Sequence, residues 1–266
     1  MTDWIFLSKD GQDEYINMLA QSVRAQITAT QDFDYDTSDR PIVLRGILKH
    51  KIMHQCWQDH RDFYYVDSGY LGNQVSAGNV RGIKLWHRIV KNDLQHSDIL
   101  PRPADRLNKL SIEFHPRRYG TKIIVAAPDE KPCRFYGIDQ EQWITDIVAT
   151  LQTHTDRPIT LRERNPSRLN RVVQDPLSAV LAHDVHALVT FNSAAAIESI
   201  LAGVPAFVMA PTHAAAPVAN GDLAQIESPY WPDADKIHAW ACHLAYGQFH
   251  VRELRDGTAM RIVNGH

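Results

Sequence analysis

Cysteine is scarce in this chain: Cys56, Cys133 and Cys242 are the three in 266 residues, far apart and in no C-x-x-C spacing. That argues against a disulfide framework or a zinc ribbon, and a reducing cytoplasm is the simplest setting. Long apolar runs are missing too, and none approaches the ~20 residues that a membrane-spanning helix needs. The opening MTDWIFLSKDGQDEY has only a short apolar run beside early acids, so no signal peptide is expected. Positive charge is not in excess, with 28 Lys and Arg against 31 Asp and Glu. This excludes a strongly basic nucleic-acid coat but leaves room for a local basic groove. Repeats and low-complexity tracts are absent. The fourteen histidines form no H-E-x-x-H pair, although His50 and His54 fall one helical turn apart and His183 and His186 are close neighbours. No metal site is expected.

What is present is enough apolar residue, 44%, for a substantial core in one large or two small domains. The clearest signal is ALVTFNSAAAIESILAGVPAFVMAP, Ala187 to Pro211. Ala187–Phe191 reads as a buried strand and Asn192-Ser193 as a helix-capping break, so a helix is expected from Ser193. Gly203 and Pro205 stop that helix before a second buried strand, Ala206–Met209. Such a β-turn-α-turn-β unit builds parallel sheets. Backbone N–H groups and the dipole at a helix start suit an anion such as phosphate, and the Ser193 hydroxyl adds a donor. Glu198, five residues into the helix by this count, can accept hydrogen bonds from a ribose beyond a bound diphosphate. The plainer alternative leaves Ser193 as a cap and Glu198 as a solvated helix residue.

This segment resembles the donor half of GT-B glycosyltransferases, particularly surface-polysaccharide and bacteriophage enzymes, in which a small polar pair opens a helix carrying a glutamate and ending in Gly-x-Pro. The resemblance implies an α/β fold of two Rossmann-like domains with a C-terminal helical tail crossing back. It places Asn192 and Ser193 near the diphosphate and Glu198 near the ribose of a nucleotide-sugar co-substrate, a UDP-sugar or similar, with no obligatory cofactor.

Elsewhere, strands are expected at Asp3–Ser8, Pro41–Gly46 and Asp62–Val66, with helices at Glu14–Arg24 and His50–Trp57 and a loop over Thr28–Arg40. Asp67 follows its strand at the carboxyl edge, where α/β folds bind ligands. It is either a general base or the Asx-turn residue of Asp67-Ser68-Gly69-Tyr70; inverting GT-B enzymes take their base from the first domain, which favours the base. Ser68, Gly69 and Tyr70, with the Gly- and Asn-rich Gly72–Lys84 after them, read as acceptor-side residues. From Leu85 to Arg118 basic and aromatic groups interleave, ending at Arg117-Arg118. That surface suits a phosphorylated or duplex-DNA acceptor, or simply a polar connection.

Lys122–Ala127 opens a second domain, Gln140–His154 is its helix and Pro158–Leu161 its next strand. RERNPSRLNR then sets Arg162, Arg164, Arg168 and Arg171 against Glu163. Arginine forks suit diphosphate oxygens, although a solvated basic loop has the same composition. The resemblance favours Arg164, with Arg162, Arg168 and the Ser167 hydroxyl beside it. Asp222 reads as a contact to sugar hydroxyls or, in preference, as a cap of the following turn. The expected division is residues 1–117 for the acceptor, 118–228 for the donor and 229–266 for the returning helices. The expected function is inverting, metal-independent glycosyl transfer in the cytoplasm, with hydroxymethylated pyrimidines in phage DNA as one possible acceptor and a surface glycan as the alternative. A non-catalytic nucleotide- or DNA-binding module and a GT-B epimerase complete the set.

Overall fold

The computed structural model describes residues 4–36, 38–47, 50–73, 84–163 and 175–265. The chain divides into two compact units, the first of Met1–His96, Asp105–Leu110 and Leu244–His266, the second of Ser97–Ala104 and Ser111–His243.

In the first unit, β1 (Ile5–Ser8), α1 (Glu14–Ser22), β2 (Ile27–Ala29), β3 (Ile42–Arg45), α2 (His50–Gln58), β4 (Phe63–Ser68) and β5 (Trp86–Lys91) follow in order. In the second come β6 (Lys122–Ala126), α3 (Glu130–Tyr136), α4 (Gln140–Gln152), β7 (Ile159–Arg162), α5 (Leu177–Leu181), β8 (Val185–Thr190), α6 (Ala195–Leu201), β9 (Ala206–Val208) and α7 (Ala234–Tyr246), the last crossing the division at Leu244. The first unit then closes with β10 (Gln248–His250), α8 (Val251–Arg255) and α9 (Thr258–Val263).

The first sheet runs β10-β5-β4-β3-β1-β2. Its parallel strands β1 and β3 are buried and apolar along nearly their whole length, as strands covered on both faces must be. α1 covers one side with Ile16, Leu19 and Ala20. Three strands depart from the sequence expectation. β2 runs into the start of the stretch read as a loop; as an edge strand it is only half-buried and shows no apolar run. β5 pairs antiparallel with β4, Asp67 opposite Arg88, where an acceptor surface or a polar connection was expected and no strand. β10 precedes α8 where helix alone was expected, and completes the edge by pairing with β5.

The second sheet, β7-β6-β8-β9, is wholly parallel. All six residues of β8 are buried. α4 starts on the side chain of Asp139, which accepts the Gln142 N–H, and lays Ile147 and Leu151 on the sheet. α3, which has no counterpart in the sequence reading, ends on left-handed Gly137. α6 ends at Gly203, φ +83°, where a Cβ would stand 2.1 Å from the Pro116 carbonyl oxygen. That contact explains why residues 111–117 belong to this unit rather than the first: the His115 and Arg118 N–H groups bond the Leu201 and Gly203 carbonyls. Among the described residues no helix is long and apolar enough to cross a membrane.

Candidate functional site

Strand order locates the crevice of the second unit. From β6 the chain moves outward to β7 and then returns to place β8 on the other side of β6. Parallel sheets bind ligands at such a reversal, beyond the carboxyl ends of the strands. The register aligns Arg162 and Thr190 with Ala126, so the ends of β7, β6 and β8 open at one edge. Asn192 and Ser193 form the corner beyond β8, and Arg162 ends β7 on the far side of β6.

The corner is built locally. The Ser193 hydroxyl accepts the Ala195 N–H at 3.3 Å, and the Ala196 N–H bonds back to the Ser193 carbonyl. No described residue accepts the hydroxyl's own hydrogen, which remains for a ligand. α6 begins at Ala195, two residues later than expected, and has seven residues; its dipole is therefore short, and local donors carry more of any anion binding. The late start also puts Glu198 in the first turn, closer to the helix N-terminus than the sequence count made it, with its side chain exposed. Arg162 donates through Nη2 to the Asp175 carbonyl at 2.7 Å, a neutral acceptor, and no ion pair to it is found among the described residues. Arg164, Ser167 and Arg168 lie outside the described residues.

One residue of this corner has no signal in the sequence. His213, fully buried, accepts the Ala215 N–H at Nδ1, 2.9 Å, which leaves Nε2 to donate to the Ser193 carbonyl at 3.0 Å. It pins the loop after β9 to the corner. A histidine among alanines after a strand looks like any loop residue. Asp222 caps the turn that follows, accepting the Ala224 N–H.

The first unit has its own reversal, between β1 and β3, and there the chain fills the corner itself. Asp13 Oδ1 accepts the Tyr15 and Ile16 N–H groups, and Oδ2 takes Arg45 Nη1 at 2.9 Å. An anion arriving there meets donors already engaged by a carboxylate.

Asp67 belongs to β4 rather than to a turn. The Asx-turn alternative needs the N–H of Gly69, and that group bonds the Trp86 carbonyl instead. The carboxylate takes the Tyr65 hydroxyl on Oδ2 at 2.8 Å, Arg88 Nη2 on the same oxygen at 3.3 Å, and the Ser68 N–H on Oδ1 at 2.7 Å. Burial raises its pKa, but Arg88, the Ser68 N–H and Tyr65 outweigh burial and hold it below the usual carboxylate range. Lys84 donates to the Ser68 hydroxyl. His87, opposite Ser68 and fully buried, has its pKa pushed down by burial to about 4.

The remaining acceptor-side residues separate. Tyr70 is buried, its hydroxyl bonded to His96 and its N–H to Gln248 Oε1, and Gly69 abuts Trp86 and Gln248. Arg117 and Arg118 belong to the second unit, where Arg117 lies over the Tyr119 ring and Arg118 donates to the Ala182 carbonyl. Residues 74–83 of the expected acceptor loop lie outside the described residues.

No protein-family model and no curated protein matches the chain. Two solved structures of Thermosulfurimonas dismutans KpsC do match in shape. The β-Kdo 2,4 transferase covers 91% of this chain and 90% of its own at TM-score 0.50 and 11% identity. The β-Kdo 2,7 transferase covers 96% and 99% at TM-score 0.54 and 10% identity. At that identity the likeness is one of fold: the chain has the mixed α/β architecture with parallel, Rossmann-like sheets found in these glycosyltransferases.

Proposed function

We propose that the protein transfers a sugar from a nucleotide-sugar donor to a hydroxyl group of a surface glycan or its precursor. The observation that carries this reading is the polar Asn192-Ser193 corner at the strand-order reversal of the second sheet, while the equivalent corner of the first is occupied by Asp13. The fold shared with two Kdo transferases supports it and favours a glycan acceptor; neither supports DNA. Retention on duplex DNA that weakens steeply with salt would restore the DNA acceptor.

In this reading the Ser193 hydroxyl, Asn192 and Arg162 hold the donor phosphate, and Glu198 takes the ribose hydroxyls. The acceptor oxygen bonds the anomeric carbon while the bond from that carbon to the phosphate oxygen breaks, and the electron pair leaves with the nucleotide. Arg162 offsets the charge that develops there, so transfer needs no divalent metal and persists in EDTA. Asp67 takes the acceptor proton, and the sugar inverts. With its anion so well held, Asp67 is a weak base, and the proton reaches it late, once the attacking oxygen has become acidic.

Incubation with a panel of nucleotide sugars including a nucleotide-activated Kdo, followed by mass spectrometry of glycan acceptors, tests the reading. It predicts one donor that is consumed with a matching mass gain on acceptor. Asp67→Asn lowers that rate by about 10²–10⁴-fold. Binding without turnover for every donor would favour the non-catalytic module.

A further inference from the structure

The three donors around Asp67 are unequally shared between its oxygens. Oδ2 takes two, from Tyr65 and Arg88; Oδ1 takes one, from the Ser68 backbone. An ionised carboxylate oxygen offers two lone pairs, so among the described residues Oδ2 is filled and Oδ1 keeps one open. Arg88 is itself locked: Nη1 donates to the Ser68 carbonyl at 2.8 Å, Nε to the Leu94 carbonyl at 3.1 Å, and the guanidinium lies over the rings of Tyr65 and Tyr70. Tyr65 is 2% exposed, so its ring is held and keeps the hydroxyl oxygen beside Oδ2. The Asp67 side chain is 37% exposed, and an acceptor can reach it.

We infer that Tyr65 and Arg88 are positioning residues that fill Oδ2 of Asp67 and turn Oδ1 toward the acceptor hydroxyl as the one atom that receives its proton. The inference rests on the glycosyl-transfer reading. In the step, the acceptor O–H breaks, its proton goes to Oδ1, and its electron pair forms the bond to the anomeric carbon as the nucleotide leaves. The charged or titratable groups around the carboxylate include Arg45 from β3, Tyr65 from β4, and Arg88 and the neutral His87 from β5, with Lys84 just before β5 on the Ser68 hydroxyl.

The test is a carbon-13 NMR titration of the Asp67 carboxyl in the full chain, read beside the pH profile of sugar transfer, for wild type, Tyr65→Phe, Arg88→Lys and Arg88→Gln. Tyr65→Phe is the deciding variant, because it removes one hydroxyl and keeps the ring; Arg88→Gln also loses bonds to two carbonyls and risks the fold. Removing a donor from the ionised form raises the titration. The expected result is an upward move in Tyr65→Phe and Arg88→Gln and a smaller one in Arg88→Lys. The acid limb of transfer moves with it, and kcat falls about 10-fold to 10²-fold at unchanged donor KM. An unmoved Asp67 titration in folded Tyr65→Phe overturns the inference and leaves the transferase reading standing, as does a moved titration with an unchanged acid limb and kcat. A wild-type protein that transfers no sugar removes the transferase reading and this inference with it.

Discussion

Ser193 engages the chain on both of its oxygens: the hydroxyl caps Ala195, and the carbonyl is held by His213. Ser193→Ala removes a hydroxyl offered to the phosphate and leaves the carbonyl clamp, so nucleotide affinity falls about 5- to 10-fold, in line with ~1 kcal/mol for a hydrogen bond, with little change in melting temperature. Glu198→Ala loses hydrogen bonds from ribose to a charged acceptor, and calorimetry will read a loss of about 10-fold or more. His87 gives a pH signature of a different kind. Its folded pKa of about 4 lies below the ordinary 6.5, so the unfolded chain takes up a proton that the folded one refuses. The stability is therefore whole above pH 6.5 and declines as pH falls toward 4, by up to about 3 kcal/mol. Urea titrations across that window detect it, and His87→Gln flattens the slope.

At the scale of elements, what could be read from the sequence follows burial. β6 and β8 are buried over nearly their whole length and appear as mostly apolar runs; Gly203 and Pro205 punctuate the unit as their backbone chemistry requires. The Asn192-Ser193 corner was legible for the same reason, since two polar residues interrupt buried segments. β2, β5 and β10 were not, because edge or antiparallel strands carry mixed residues such as Trp86-His87-Arg88. Asp67 was legible by place but not by environment: Tyr65 lies two residues away in sequence, while Arg88 reaches it only through strand pairing. Gly203 supplies the elemental test. Its φ of +83° and the 2.1 Å approach of the Pro116 oxygen to an added Cβ make Gly203→Ala costly, about 2–4 kcal/mol from strain and displacement together, read as a lowered urea midpoint.

Over the whole molecule, distant parts of the chain complete each unit. Arg106, 9% exposed, reaches Glu253 with both terminal nitrogens and the Ala245 and Gln248 carbonyls besides, tying residues 105–110 to the C-terminal segment. No local pattern announces that pairing, which spans 147 positions. Arg106→Ala strands a carboxylate and two carbonyls, and is expected to destabilise the first unit by about 3–5 kcal/mol in chemical denaturation.

The claim on which the function depends is that the second unit, at Asn192-Ser193, holds the nucleotide. Backbone amide NMR of the full chain during titration with nucleotide sugars tests it most directly. The account predicts saturable shifts at the amides of Ser193, Ala194 and Ala195, weakened in Ser193→Ala, with the Tyr15 and Ile16 amides undisturbed. Shifts confined to Tyr15 and Ile16, or none at the second corner with any donor, would contradict it.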